Sequence, residues 1–440
     1  AIIKTLPQIS GTAVDNASGV NNVKLSIKNV TNTLYYTGSS WGGSEIYLSA
    51  SGTNSWTYTS PTWSDGKDYL IRAYAQDFAN NTESAGVGNS FYYDESIPSS
   101  VIIGPANNAE IKSAPTITGT ASDLVPGSGL KEIKVVIKNI TDTKFWTSAP
   151  GWDTTAAEWL LATGTSSWTF NASTPTYDTG KRYLIQSRST DNADNTESVG
   201  AGNSFIYDLT NPSSWVISPS NSVKINTGVI ITGDATDPLP GAGLNASGLN
   251  VIKLSIKNVT DTKYWGGTAW ETNLTEATSW INSTGTLNWS YGNPGWTNSK
   301  SYLIKSKAYD DATNTETPTS GNSFTYDIEA PNAVVTVPAN GATVSAVTYI
   351  SGVTTDNIGG ITNVKVSIKD VTLTKYWNSS AWAIASEVWL DATGGYSWSI
   401  GSGTLTSGNN YLVRSKATDE ATNIETPTAG YSFTYLVDDA

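Results

Sequence analysis

The stretch NVKLSIKN, residues 22–29, decides the architecture of this 440-residue chain. Val23, Leu25 and Ile27 alternate with Lys24, Ser26 and Lys28, so one face is apolar and the other largely charged. A period of two is that of a half-buried antiparallel strand. The same pattern returns as EIKVVIKN (132–139), VIKLSIKN (251–258) and NVKVSIKD (363–370), which places Ile27, Ile137, Ile256 and Ile368 at intervals of 110, 119 and 112. A unit of about 114 residues repeated four times is the size of one β-sandwich domain. Each unit offers several more short alternating runs between Gly, Pro, Asn and Asp clusters, and no stretch keeps a 3.6-residue apolar period.

A second recurrence narrows the type of sandwich. YLIRAYAQD, YLIQSRSTD, YLIKSKAYD and YLVRSKATD begin at Tyr69, Tyr183, Tyr302 and Tyr411, each after a turn (SDGKDY, DTGKRY, TNSKSY, TSGNNY). A tyrosine there suits the tyrosine corner of immunoglobulin-like sandwiches. The sequence therefore reads as all-β, with tandem immunoglobulin-like β-sandwich domains arranged as an elongated rod. The boundaries read as 1–94, 95–208, 209–327 and 328–440, and four domains in line exceed about 120 Å at about 3.3 Å per strand residue.

Composition removes whole classes of chemistry. There is no Cys, no Met and no His, hence no Ser-His or Cys-His nucleophile, no zinc or haem ligation of the usual kinds and no disulfide. The 17 Trp, 22 Tyr and 7 Phe argue for a folded chain despite its Ser, Thr, Asn and Gly content. A net charge of −13 disfavours nucleic acid and anionic membrane surfaces as partners. No run is long enough to span a membrane.

The order of motifs resembles the tandem bacterial Ig-like repeats of large secreted and surface proteins. In the fourth unit the pieces are APNAVVTVPANG (330–341), YISGVTTDNIGG (349–360), VKVSIK (364–369), KATDEATNIE (416–425) and SFTY (432–435). The resemblance implies an extracellular spacer, adhesive or structural role and no enzyme activity. Two departures stand out: an aromatic insert (YWNSSAW and SEVWLDATG in the fourth unit), and Asn80, Asp194, Thr313 and Thr422 where the family's turn has Gly.

Three sets of residues are candidates for more than packing. Acids recur in two loops that an Ig-like topology puts at one pole, next to acids in the linker: Asp94, Asp123, Asp191 and Glu197; Asp208, Asp237, Asp310 and Glu316; Asp327, Asp356, Asp419 and Glu425. Carboxylates from three sources at one joint suit Ca²⁺, which takes six to eight oxygens, although no EF-hand spacing is present and no cofactor is required. The competing reading is that Asp and Asn cap these loops as Asx-turns. Trp56, Trp168, Trp289 and Trp398 sit in a recurring strand and read as core. The insert residues Trp41, Trp146, Trp152, Trp265, Trp270, Trp377 and Trp382 read either as core or as an aromatic surface for lateral contact or glycan stacking. Asn29, Asn139 and Asn258 occupy N-x-S/T sequons at one repeated position, which is a surface acceptor site only in a glycosylating host.

The ends differ from the middle. Pro98, Pro212 and Pro331 lie 19 residues before Ile117, Ile231 and Ile350, whereas Ile9 has eight residues before it. The first unit thus lacks the counterpart of VIIGP, WVISP and VVTVP. Either the chain is a window of a longer array, or a neighbouring strand completes an open sheet edge, for which Leu436 to Ala440 is a short donor. Both readings expect an extracellular or cell-surface structural protein whose partners are copies of itself or adjoining repeats. The alternative is a polysaccharide-binding array.

Overall fold

The computed structural model describes residues 1–149, 151–153, 156–171 and 175–437. The chain divides into two compact units: Ala1–Thr210 with Leu239–Ser247 and Asp311–Asn314, and Asn211–Pro238, Gly248–Asp310 and Thr315–Ala440. Among the described residues the only helix is a 3-10 turn at Glu276–Thr278. No helix there is long and apolar enough to cross a membrane.

The second repeat, in the first unit, gives the pattern. Its larger sheet runs in the order Ala109–Ile111, Asn203–Tyr207, Lys181–Asp191, Leu130–Asn139, Lys144–Thr147, Gly151–Asp153, with Leu160–Leu161 also on Leu130–Asn139. The smaller sheet runs Ser99–Gly104, Ile117–Ser122, Ser167–Phe170, Thr163–Gly164. Ile133, Val135 and Ile137 are fully buried and pack with Ile117, Trp168, Tyr183 and Phe205 in one core between the sheets. The alternation read from sequence is therefore the inward parity of the central strand. A shift between Leu130 and Glu132 recurs between Val20 and Asn22, so a bulge at the strand's start sets that parity anew.

The second unit repeats the arrangement twice, on Leu249–Asn258 paired with Lys300–Asp310 and on Ile361–Asp370 paired with Asn410–Asp419. The four core tryptophans are buried as expected: Trp56, Trp168, Trp289 and Trp398. Each lies over a glycine of the facing strand. A Cβ built on Gly119 would stand 2.1 Å from Trp168 Cζ2, and one on Gly352 2.2 Å from Trp398 Cζ2, which explains the repeated Ile-Thr/Ser-Gly triplet.

The tyrosine corner is present in all four repeats. Tyr69, Tyr183, Tyr302 and Tyr411 are fully buried. Each hydroxyl accepts the backbone N–H five residues upstream: Ser64 at 2.9 Å, Asp178 at 2.9 Å, Thr297 at 2.8 Å and Thr406 at 2.8 Å. Asn80, Asp194, Thr313 and Thr422 take φ of 66°, 66°, 71° and 69°, the left-handed conformation that glycine usually supplies.

Candidate metal centre at the repeat junctions

In the first unit, Asp94 follows the last strand of the first repeat, Asp123 follows Ile117–Ser122 and Asp191 ends Lys181–Asp191. One oxygen from each lies within 4.8 Å of the others. Asp327, Asp356 and Asp419 make the same constellation in the second unit. Asp208, Asp237 and Asp310 are the sequence counterparts of these residues in the third repeat.

Local chain geometry holds each carboxylate. Asp191 accepts the Asn195 amide N–H and Nδ2, both at 2.8 Å, and Asp419 accepts the same pair from Asn423 at 2.8 Å. Asp94 accepts the amides of Ser96 (2.9 Å) and Ser128 (2.7 Å), so the linker is tied to a loop of the following repeat. Asn195 Nδ2 also donates to the Asp94 carbonyl, and Asn423 Nδ2 to that of Asp327, both at 2.9 Å. The Asp94–Ser96 contact is an Asx-turn of the competing reading, and the loop aspartates cap their own loops four residues on.

The turns do not satisfy every oxygen. Asp123 Oδ1, Asp327 Oδ2 and Asp356 Oδ1 are buried without a hydrogen-bond partner among the described residues, and Asp327 itself is fully buried. No lysine or arginine pairs with any of the six aspartates among the described residues. Burial raises the Asp123 carboxyl above its usual value, against the lowering by the Gly129 amide and with the help of Asp94 and Asp191. Burial raises Asp327 likewise, opposed by the Glu329 amide and assisted by Asp356 and Asp419. Two carboxylates about 5 Å apart repel by roughly 3 kcal/mol at an effective dielectric of about 20. A hard divalent cation, bound by oxygen alone, fits this donor set.

The glutamates assigned to the same joints lie elsewhere. Glu197 accepts the Ser100 amide at 2.9 Å and its hydroxyl at 2.6 Å. Glu316 accepts the Ser214 amide at 2.9 Å, and Glu425 the Ala333 amide at 2.9 Å. They fasten the first strand of their own repeat, because the loop that presents them turns back along the sheet edge.

The insert tryptophans follow the core alternative, and the sequon reading needs correction. The insert tryptophans do not form an open platform: Trp146 is buried and Trp41, Trp152, Trp265, Trp270, Trp377 and Trp382 are half-buried. Their hairpin folds over the corner tyrosine, with Trp41–Tyr69 centroids 5.7 Å apart, Trp152–Tyr183 5.3 Å, Trp270–Tyr302 5.4 Å and Trp382–Tyr411 5.3 Å. Trp265 and Trp377 pack in turn against Trp270 and Trp382 in tilted pairs. Asn29, Asn139 and Asn258 are buried, not surface acceptors. Each Oδ1 accepts the N–H three residues on, at 3.0 Å, and in Asn139 and Asn258 Nδ2 donates to Asp142 and Asp261 at 3.1 Å.

Residues 331–413 match the family described as Bacterial Ig domain. Among solved structures, the chain is similar to a tetra-tandem repeat in the extending region of a large adhesion protein, with 14% identity, 97% of this chain and 93% of that chain covered, and a TM-score of 0.29. It is also similar to the fibronectin(III)-like modules of Clostridium thermocellum CbhA, with 15% identity, 51% and 94% covered, and a TM-score of 0.25. No curated protein matches it. The fourth repeat is thus similar to the bacterial Ig domain.

Proposed function

We propose that this chain is a structural, non-catalytic stretch of an extracellular or surface-anchored protein, a stalk or filament segment of the adhesin type that holds other parts at a distance. The observation that supports it most is the joint. In both units a linker aspartate is clasped by the next repeat's loop, so consecutive domains are coupled through the same residues: Asp94 with Asn195, and Asp327 with Asn423. A fold used four times with the same joint is suited to spanning distance. The match of the fourth repeat to bacterial Ig domains and the adhesion-protein neighbour agree with a surface location.

Calcium at the aspartate trios is part of this reading, supported by the fully buried Asp327, whose Oδ2 has no hydrogen-bond partner among the described residues. Asp327, Asp356 and Asp419 would hold the ion in one joint and Asp94, Asp123 and Asp191 in another, supplying negative charge that the ion neutralises while fixing linker to loop. Electron microscopy of the purified chain and immunogold labelling of source cells test the proposal. Extended particles and surface label are expected; collapsed globules or label confined to the cytoplasm would overturn it.

A further inference from the structure

The larger sheet turns a pair of cations outward in the second, third and fourth repeats. In the third, Ile252, Leu254 and Ile256 are fully buried, so the alternation points Val251, Lys253, Ser255 and Lys257 away from the core. In register with these four stand Tyr309, Lys307, Lys305 and Leu303. Lys253 therefore lies directly opposite Lys307. The same positions hold Lys134 opposite Arg188 in the second repeat and Lys365 opposite Lys416 in the fourth. Like charges set directly opposite destabilise a sheet, yet three repeats of a chain with 38 acidic residues carry such a pair.

Each pair has a tryptophan beside it. Trp159, Trp280 and Trp389 immediately precede the short strands that pair with the central one, Leu160–Leu161, Ile281–Asn282 and Leu390–Asp391. Arg188 lies 4.4 Å from the centroid of Trp159, Lys307 5.7 Å from that of Trp280 and Lys416 4.4 Å from that of Trp389. All three rings are half-buried. The pairs differ in their counter-charges. Lys134 meets Glu132 at 2.7 Å and Lys365 meets Asp391 at 2.9 Å. Neither Lys253 nor Lys307 has a carboxylate partner among the described residues. Their neighbour Lys305 takes both oxygens of Glu276 at 2.9 Å, so that carboxylate is already engaged. Lys253 and Lys307 share the Tyr309 ring instead, 5.2 and 5.3 Å from its centroid. Two half-exposed ammonium groups are thus held together by aromatic faces with no anion between them.

We infer that the face formed by Lys253, Lys307 and Trp280 binds an acidic polysaccharide, the carboxylate of a uronate unit meeting the two ammonium groups and its sugar ring lying against the tryptophan. A lysine pair supplies the charge and the hydrogen-bond donors for a carboxylate. The negative face of an aromatic ring attracts the polarised C–H bonds of a pyranose. A carboxylate on a protein would need the lysines alone; the ring repeated beside every pair is what selects a sugar. Duplex DNA, with one charge per about 1.7 Å, calls for a longer run of cations than this pair. A polymer with one carboxylate per sugar matches it, and screening over about 10 Å lets that carboxylate respond to the local pair and not to the net charge of the chain. The third repeat is the strongest site because Glu132 and Asp391 neutralise part of the other two pairs. This binding chemistry is independent of the stalk reading.

The test uses the full 440-residue chain and a fluorescently labelled oligogalacturonate, with its methyl-esterified form as the neutral control. Saturable binding by anisotropy is expected at low salt, weakening as salt is raised, and none of the ester. Bound oligogalacturonate is expected to protect Lys253 and Lys307 from acetylation, read by mass spectrometry on the unaltered chain. Lys253→Gln combined with Lys307→Gln weakens binding about tenfold or more. That variant melts at or above the wild-type temperature, because a like-charge pair has been removed. Trp280→Phe keeps binding that Trp280→Leu loses. Equal binding of acid and ester, unchanged binding by the folded double variant, acetylation protection that spares Lys253 and Lys307, or no binding at millimolar saccharide would overturn the inference. Tighter binding of single-stranded DNA than of the saccharide would overturn it in favour of nucleic acid. Concentration-dependent dimers in sedimentation, abolished by the double variant and without saccharide binding, would overturn it in favour of a second copy of the chain.

Discussion

Gly352 shows how much a single hydrogen decides here. Its missing side chain is where the Trp398 ring lies, and the Val334 carbonyl oxygen closes the space from the other side at 2.1 Å from a built Cβ. Gly352→Ala is expected to destabilise the fourth repeat by about 1 to 3 kcal/mol through overpacking, while Gly401→Ala, whose Cβ meets nothing within 4 Å, changes little. Urea titration followed by hydrogen exchange in Ser397–Gly401 separates the two. Asp65 offers a charge test. Burial pushes its carboxyl up, but the Ser96 hydroxyl and the amides of Glu95, Gly66 and Ser96 outweigh it and hold the group below the ordinary value of 3.8. A depressed carboxyl stabilises the folded state fully above its unfolded value, and that stabilisation is lost as pH falls through the folded one. Asp65→Asn is therefore expected to lower the stability of the first unit at neutral pH, with the gap to wild type closing below about pH 3.8; a gap independent of pH contradicts this. Much at this scale was legible from sequence. The corner tyrosines and core tryptophans were found by recurrence alone. The burial of Asn29 was legible too, since it shares the parity of Val23, Leu25 and Ile27, but the sequon pattern drew attention away from parity.

The elements were read well where period two rules and poorly where tertiary contact does. Leu130–Asn139 and its counterparts are continuous alternating strands, and their inward faces followed from the letters. The insert hairpin has no such signal. Trp146–Trp152 and Trp265–Trp270 form cross-strand pairs with centroids 5.4 Å apart, and only the position of the neighbouring corner tyrosine decides that they fold inward. Trp270→Ala removes the ring wedged among Trp265, Trp296 and Tyr302 and is expected to cost the third repeat about 3 to 5 kcal/mol, with the tryptophan emission of that repeat shifting to the red. A loss below 1 kcal/mol would mean the hairpin is a surface decoration. The roles of Glu197, Glu316 and Glu425 were likewise hidden, because the amides they bind lie nearly a hundred residues upstream. The available signal was a small residue, Ser100, Ser214 or Ala333, two positions after each linker proline.

For the whole molecule, the proposed cation sites at the aspartate trios predict a stability change with a distinctive sign. Ca²⁺ is expected to raise the melting temperature and a chelator to lower it, by RT ln(1 + [L]/Kd) per site, about 2.7 kcal/mol at a hundredfold excess over Kd. Asp327→Asn relieves repulsion within its trio, so it is expected to match or exceed wild type in chelator and to lose the calcium response of the second unit. Equal melts with and without chelator would remove calcium from the proposal. A different consequence lies in the pairing of Ala109–Ile111 with Asn203–Tyr207, which is parallel, Ala109 opposite Phe205 and Ile111 opposite Tyr207. The chain enters the repeat ahead of one of these strands and leaves it after the other. Force applied along the polypeptide therefore drags the two in opposite directions along their shared axis, loading their hydrogen bonds together in shear instead of unzipping them one at a time. The same parallel clamp closes the third and fourth repeats through Val223–Ile225 and Ala342–Val344, so tension meets the most resistant arrangement a pair of strands can present.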